Sequence, residues 1–548
     1  MNRRALNFIT IENATIAEKI ASVNDEPDTR DHVFRHLILN KFPNSFAEVI
    51  ANQYSKIYRA TGRRSANLFM LDIKDRLKSQ IISLAASDDE IVIYAKRRAD
   101  EMMRLSRYWK NLADSLQFLC DTVFFKYGIN PPLKTKLGSD AENIILKIPG
   151  KNECVEASTH GVSGRLFNER WWRRSLRNVH IRNVEKKAIE LGLVRQGKEK
   201  YVSNVTLRRK RQQKQRNRRI LENSFATNEN GQTYSLQELA NTTVSNPTIQ
   251  RNELMTRLAG FDEIAVEQGH EGVMLTITTP SKMHASVTKD NQAFNNPNYD
   301  GTTPAQAQKY LTLIWSRMRA EFNRQGIKPY GFRVAEPHHD ATPHWHVLLY
   351  VNPAQMDPLE SIVRKYALEN SPNEPGAQKH RVTAVTIDRS KGSGVSYLSK
   401  YISKSIDGFG LDSDIDGGEP TKAAEKVKAW ATTWGIRQFQ QIGGPPVSLW
   451  RELRKASEEG LGGLIKAFWD AANAGLWGEF VKLLGGTSVK RKDLPISLAK
   501  LWNDAPNCYL EPKGAEIIGI AYGILTIPTR LHNWIITNKF TNQSTIVS

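Results

Sequence analysis

The chain has 548 residues, a formal net charge of +20 and a pI near 9.6, long enough for three or four domains at about 150 residues each. Such a surplus of cations points to a polyanionic partner, nucleic acid first among them. Three cysteines, Cys120, Cys154 and Cys508, are odd in number and far apart, which argues against a disulfide framework or a CxxC zinc site and for a cytosolic protein. The opening Met1-Asn2-Arg3-Arg4 runs into mixed polar sequence, so no secretory signal is expected. The span from Ile517 to Ile536 is interrupted by Pro528, Arg530, His532 and Asn533 and reads as a buried strand or helix, not a membrane crossing. No GxxxxGKS/T run occurs, so no ATP-driven motor is expected.

Residues 1–150 read as a helical N-terminal domain. From Ala99 to Leu119, Met102, Leu105, Trp109, Leu112 and Leu116 recur every three or four positions. From Arg165 to Arg219 nineteen Lys and Arg face four Asp and Glu, with Trp171, Trp172 and Tyr201 interleaved. That density repels itself unless phosphates neutralise it, although a solvated basic face is the plain alternative. Residues 151–222 therefore read as a nucleic-acid-binding segment. Arg173, Arg174, Arg208, Arg209, Lys210 and Arg211 are its expected phosphate contacts, and the run from Arg208 to Arg219 is expected to be helical and to contact phosphates without reading bases. Asn223 to Pro247 is rich in Asn, Thr and Ser, and residues 223–255 read as a linker.

Residues 256–425 regain the pattern of a compact domain. Val273 to Thr278 is expected as a strand and Pro304 to Arg324 as a helix with Tyr310, Leu313, Ile314 and Met318 inward. Phe332 to Glu336 and His344 to Val351 form a strand pair, Leu359 to Leu368 a helix and Val382 to Ile387 a strand. This βαββαβ order gives an α+β fold: an antiparallel sheet with helices on one face, leaving the other face open. Asp407-Gly408-Phe409-Gly410 ends the next helix, and Asp412 to Pro420 reads as an acidic loop. In residues 426–548, Trp430 to Glu452 offers aromatic side chains for core packing or base stacking, and Leu464 to Leu484 reads as an amphipathic helix with Phe468, Trp477 and Phe480. Both flanking regions are expected to be mainly helical.

The chemistry concentrates between Glu336 and Tyr401. In an extended strand His344 and His346 project to one face while Trp345 points to the other, so the two imidazoles can share a metal ion. On a helical wheel Val395, Leu398, Ile402 and Ile406 form an apolar stripe. Tyr397, Lys400, Tyr401 and Lys404 fall on the opposite side, where lysine charges would favour a phenolate nucleophile.

The stretches Glu336-Pro337-His338-His339-Asp340-Ala341-Thr342-Pro343-His344-Trp345-His346, Tyr397-Leu398-Ser399-Lys400-Tyr401-Ile402-Ser403-Lys404 and Trp434-Gly435-Ile436-Arg437-Gln438-Phe439 resemble the bacteriophage replication gene A protein family. These are HUH endonucleases with two active-site tyrosines, and the likeness covers roughly residues 160–460. Ala341 departs from the glycine expected there. The resemblance implies an HUH catalytic domain over 256–425 and nicking of single-stranded origin DNA. It further implies a 5′-phosphotyrosine on Tyr397 or Tyr401, a 3′-hydroxyl primer for rolling-circle replication, and rejoining at termination by the second tyrosine.

Two histidines underfill a metal's coordination. Glu336 is the chosen third ligand, because a hairpin brings that strand end opposite the histidines and a carboxylate suits Mg²⁺ or Mn²⁺. His338 is the runner-up, while His339 and Asp340 shape the turn or support the ligands. Lys400 and Lys404 are expected to hold phosphates or assist proton transfer. Without a motor motif, a host helicase and a replication polymerase are the expected partners, with no membrane, in the host bacterial cytoplasm. Rival readings are an HUH relaxase or single-strand transposase, a zinc hydrolase without the usual HExxH, and a non-catalytic DNA-binding protein.

Overall fold

Unbroken apolar runs such as Val273-Met274-Leu275 and Val347-Leu348-Leu349-Tyr350 need a layer on each side of their sheet, and the computed structural model supplies both. It describes residues 29–78, 81–136, 143–290, 292–410, 419–538 and 541–547. Met1 to Arg4 and most of the expected acidic loop from Asp412 lie outside these. The chain divides into two compact units, residues 1–191 with 502–515, and residues 192–501 with 516–548. The basic segment expected over 151–222 is thus shared between them.

The first unit is built on helices that include Asp88–Ser106, Leu112–Tyr127 and Glu169–Glu190. Its core gathers Met102, Leu116, Leu119, Val123, Tyr127, Trp172 and Leu176. The periodic run Ala99 to Leu119 is not one helix. It breaks after Ser106, and Asn111 caps a second helix by accepting from Ala113 N and Asp114 N. Trp109 and Leu112, expected to pack, lie at this break and are 42% and 50% exposed. Trp171 and Trp172 are buried in this core, with Trp172 Nε1 donating to Leu166 O at 2.7 Å, so they are not interleaved stacking platforms.

In the second unit the basic run forms α1 (Asn204–Glu222), and α2 (Pro247–Glu267) precedes the sheet. The strands are β1 (Glu271–Ile277), β2 (Tyr330–Pro337), β3 (Pro343–Val351), β4 (Val382–Thr386) and β5 (Phe439–Ile442), in spatial order β4-β1-β3-β2-β5 with every neighbour antiparallel. The helices between them are α3 (Pro304–Arg324), α4 (Met356–Ala367), α5 (Gly394–Ile406) and α6 (Pro420–Trp434). The βαββαβ order holds, with an unforeseen hairpin of Ser286–Lys289 and Gln292–Asn295 inserted before α3 and β5 added at the sheet edge.

One face meets α3, where Trp345 Nε1 donates to Gln308 Oε1 at 3.0 Å and the Trp345 ring lies 6.4 Å from Trp315. Leu313, expected inward on α3, is 59% exposed because Ala307, Leu311, Ile314, Trp315 and Met318 already fill the inner face. The opposite face of the sheet packs Phe332, Val334, Leu348 and Tyr350 against Leu258 and Phe261 of α2 and Leu398 and Ile402 of α5. The tyrosine helix therefore covers the face left open in the sequence reading.

Two expectations fail outside the sheet. Residues 223–255 are not a linker: Ser224–Asn228 and Thr233–Ser235 are strands, followed by the helix Leu236–Asn241 and then α2. The first of these strands pairs with Trp534–Asn538, which pairs in turn with Thr541–Val547. The C-terminal region is likewise not mainly helical. After the helices Gly463–Asn473 and Trp477–Leu483, which divide the expected Leu464 to Leu484 helix around Gly475 at φ 77°, it continues as strands. Trp430 and Trp450 are buried and packed, the core alternative of the two readings.

Candidate active site

Pairing of β2 with β3 sets Glu336 opposite His344 and Val334 opposite His346, while β1 sets Thr276 opposite His346 from the other side. Side-chain alternation then puts Glu336, His344 and His346 on the α5 face. One ligand atom from each lies within 4.8 Å of the other two. His344 Nε2 and His346 Nε2 are 3.0 Å apart, and His346 Nε2 is 3.9 Å from Glu336 Oε2. Glu336 and His346 are 1% and 6% exposed.

Burial, with Lys404 and His338 adding repulsion, pushes the His346 imidazolium down to about 3. Burial and the neighbouring His338 and His346 likewise hold His344 well below the ordinary histidine range. Both rings are neutral at pH 7, the protonation state that ligates a metal. This donor set of two neutral imidazoles and one buried carboxylate fits a divalent cation.

Supporting contacts surround the three residues. Thr276 Oγ1 lies 3.1 Å from His346 Nδ1. Ser405 Oγ donates to Glu336 Oε1 at 3.0 Å, and Lys404 Nζ donates to Glu336 Oε2 at 3.3 Å. Thr276 and Ser405 were missed in the sequence. Ser405 sits one turn beyond Tyr401, a visible spacing, whereas Thr276 becomes a neighbour only through strand pairing.

His338 is outside the triad. Its ring lies 4.0 Å from that of His344, its Nε2 has no partner among the described residues, and burial, with His284 adding to it, pushes it down to about 3. Asp340 Oδ1 accepts from Thr342 N at 3.0 Å and Oδ2 lies 3.2 Å from His284 Nδ1. Burial would raise the Asp340 carboxyl, but the His284 charge and hydrogen bond outweigh it and hold the group well below the usual range. Ala341 adopts φ 71°, the left-handed region that suits glycine and costs an L-residue about 1–2 kcal/mol. Ala341 N donates to His338 O at 2.9 Å and its carbonyl accepts from Trp430 Nε1 at 2.8 Å, so α6 braces the turn.

On α5, Leu398, Ile402 and Ile406 are buried as the stripe requires, with Val395 partly so. The tyrosines are less separate from the core than expected, since Tyr397 and Tyr401 are half-buried against its edge. The Tyr401 ring stacks on His346 with centroids 3.7 Å apart and planes 23° from parallel. The lysine expectation needs correcting here. Burial, and then Glu336, raise the Tyr401 hydroxyl above the ordinary phenol value, because buried Lys404 is engaged by Glu336 and Lys400 is exposed. The start of α5 is fixed by Asp262, whose Oδ1 accepts from Tyr350 Oη at 2.7 Å and from Gly394 N at 3.2 Å.

Of the expected phosphate contacts, Arg173 and Arg174 lie on Glu169–Glu190 in the first unit, half-buried and exposed respectively. Arg208, Arg209, Lys210 and Arg211 lie on α1 in the second unit, where eight Lys and Arg face one Glu. Arg211 Nε donates to Glu425 Oε1 at 2.8 Å. The residues before α1 reach the turn between β2 and β3: Tyr201 N donates to His339 O at 3.3 Å, and Lys404 Nζ sits 5.3 Å from the Tyr201 ring centroid. Among the described residues no helix is long and apolar enough to cross a membrane.

Comparison with known proteins places the chain in a family. The sequence profile of the bacteriophage replication gene A protein (GPA) family matches residues 90–409. The replication gene A protein of Escherichia phage 186 is 40% identical over 389 residues, covering 68% of this chain and 56% of that protein. The probable replication protein P12 of Pseudoalteromonas phage PM2 is 32% identical over 521 residues, 90% of this chain and 80% of that protein. A probable replication endonuclease from a prophage-like region of Salmonella typhimurium is 32% identical over 374 residues, 65% of this chain and 46% of that protein. The chain thus spans little more than half of the phage 186 protein and less than half of the Salmonella one. No solved structure matches. With the family profile covering the stretch that carries the two histidines and both tyrosines, the chain belongs to the bacteriophage replication gene A protein family.

Proposed function

We propose that the protein is an HUH-type, metal-dependent endonuclease that nicks one strand of a phage replication origin and becomes joined to it through tyrosine. The observation that carries this reading is the stack of Tyr401 on His346, which sets one hydroxyl-bearing ring of a tyrosine pair against a buried His-His-Glu cluster. Membership of the replication gene A family and the name replication endonuclease borne by the Salmonella relative support the same reaction class.

His344, His346 and Glu336 would hold Mg²⁺ or Mn²⁺, which when bound supplies charge stabilisation at a scissile phosphate. The oxygen of Tyr397 or Tyr401 attacks phosphorus. A bond forms from phosphorus to that oxygen, the bond to the 3′ oxygen breaks, and the proton lost by the phenol is balanced by one gained at the 3′ oxygen. The products are a 5′-phosphotyrosine and a free 3′-hydroxyl that can prime synthesis. One phosphodiester replaces another, so no ATP is consumed. Because the tyrosines lie one turn apart, about 6 Å, the second can cleave a regenerated origin while the first is esterified. Thr276, Ser405 and Lys404 orient the ligands, and the cations of α1 hold the strand by its phosphates.

The reading is tested with Tyr397→Phe, Tyr401→Phe and the double variant on a single-stranded origin oligonucleotide. Each single variant is expected to cleave but not to support complete replication rounds, and the double variant to do neither. Mass spectrometry should find the nucleotide adduct on Tyr397 or Tyr401. An adduct on another residue, or a double variant that still links to DNA, would overturn the assignment.

A further inference from the structure

Beyond the edge strand β5, a cavity of about 720 Å³ opens between α2 and the segment that follows β5, within the range that holds a small ligand, roughly 300–1,000 Å³. Its charges are unbalanced, with Arg257, Arg437 and Arg451 facing Glu253 alone among the lining residues. Glu253 is shared: Arg451 makes paired contacts to it at 2.7 Å, and Arg257 Nη2 lies 3.3 Å away. Arg257 is 7% exposed, and burial, with Arg451 and Arg437 adding repulsion against Glu253, pushes its guanidinium down to about 10. Three cations around one carboxylate leave a net +2 in a half-enclosed space, which an anion would relieve.

The remaining lining suits a nucleobase. Phe439 is half-buried on β5, which among the described residues stands at the sheet edge and pairs with β2. Gln438 and Gln440 also border the cavity. Gly443 and Gly444, at φ 71° and 69°, turn the chain past the pocket, and a side chain at Gly444 would collide with Phe261. Phe332, in the cavity wall, is on the same strand and face as Glu336, four residues away, or about 13 Å along β2.

We infer that this Arg257–Arg437–Arg451 cavity binds one nucleotide of the single-stranded DNA, with its base stacked on Phe439 and its phosphate on the arginines, and so fixes the strand's register relative to the tyrosines. The inference rests on the proposed nicking function for the identity of the strand. Arginine and aromatic groups together are the usual means of holding an unpaired base and its phosphate.

The test uses the full chain carrying Tyr397→Phe and Tyr401→Phe, so that binding is read without cleavage. Its probe is an oligonucleotide with 5-iodouridine at successive positions, and photo-crosslinking at one position is expected to label Phe439. Phe439→Ala should weaken oligonucleotide affinity by about 5- to 100-fold. Arg437→Gln with Arg451→Gln should flatten the slope of log affinity against log salt by up to about 2. Free deoxynucleoside monophosphate, added as competitor, should displace the crosslink only at far higher concentration than the oligonucleotide. Equal displacement would mean a free-nucleotide site and overturn the strand assignment. Crosslinks elsewhere, or variants that lose thermal stability with affinity and slope unchanged, would reduce the arginines to a tie between α2 and Val447–Leu453 and overturn the inference. If the chain without the tyrosine substitutions cleaves DNA while these variants still bind normally, only the cavity assignment fails. If it neither binds nor cleaves, the nicking function fails first.

Discussion

Glu336 divides its carboxylate between Ser405 at 3.0 Å and Lys404 at 3.3 Å while facing the two histidines. Lys404 sets a cation beside a carboxylate that burial takes out of water. Glu336→Gln is therefore expected to raise the metal concentration needed for half-maximal nicking, and Thr276→Val to raise it about 10- to 100-fold through the loosened His346 ring. Metal titrations of nicking check both. If His338→Ala has the effect and Glu336→Gln has none, the ligand set is wrong. The same histidines set a pH dependence. His338 and His346 fall to about 3 in the folded protein, against 6.5 for an unburied ring. Between these values the unfolded chain binds protons that the folded protein refuses, so stability rises with pH there. The metal-free protein should be most stable above pH about 6.5 and lose stability as the pH falls towards 3. Urea midpoints measured down that range check the sign, and His338→Asn should make the decline shallower.

At the scale of elements, α5 is the part whose placement decides the chemistry, and its N-terminal turn has no slack. A Cβ on Gly394 would lie 2.1 Å from Tyr350 Oη and 3.0 Å from Asp262 Oδ1. Gly394→Ala must therefore push α5 away from β3 or break the Tyr350–Asp262 contact. We expect a loss of about 1–3 kcal/mol of stability together with slower nicking, since both tyrosines ride on the displaced helix. Denaturant unfolding and single-turnover cleavage measure the two effects. The apolar period of α5 and its tyrosine spacing were legible in the sequence, as were the strand parity of His344 and His346 and the bounds of α3. The burial of Lys404 was not. The wheel places it away from the apolar stripe, but β2 delivers a carboxylate to that side, and an ion pair replaces the solvent that the lysine would otherwise seek.

The whole molecule carries +20, and α1 concentrates eight of its cations on one exposed helix. Neutralising Arg208, Arg209, Lys210 and Arg211 together should flatten the salt dependence of single-stranded DNA binding by at most about 3 in log–log slope, and by less if Arg211 stays with Glu425. Affinity measured from low to high salt checks this. An unchanged slope would return α1 to a solvated face. This variant should still cleave a short origin oligonucleotide at high enzyme concentration, because Tyr201, whose N donates to His339 O, lies outside the substituted run.

By itself the sequence determined what short-range rules control: the alternation that turns His344 and His346 to one face, the stripe of α5, the βαββαβ order and the surplus of positive charge. Pairing across long separations belonged to the tertiary structure. The polar stretch after Asn223 reads as a linker because a lone strand of Ser224-Phe225-Ala226-Thr227-Asn228 has little apolar surface to bury. It lies between Thr233–Ser235 on one edge and Trp534–Asn538, some three hundred residues later, on the other. Trp171 and Trp172 likewise sit amid arginines in sequence, yet helix packing turns both indoles into the core. Register, too, belongs to the tertiary structure: it sets the Glu336 carboxylate opposite His344 and leaves the His338 ring tilted 4.0 Å from that of His344.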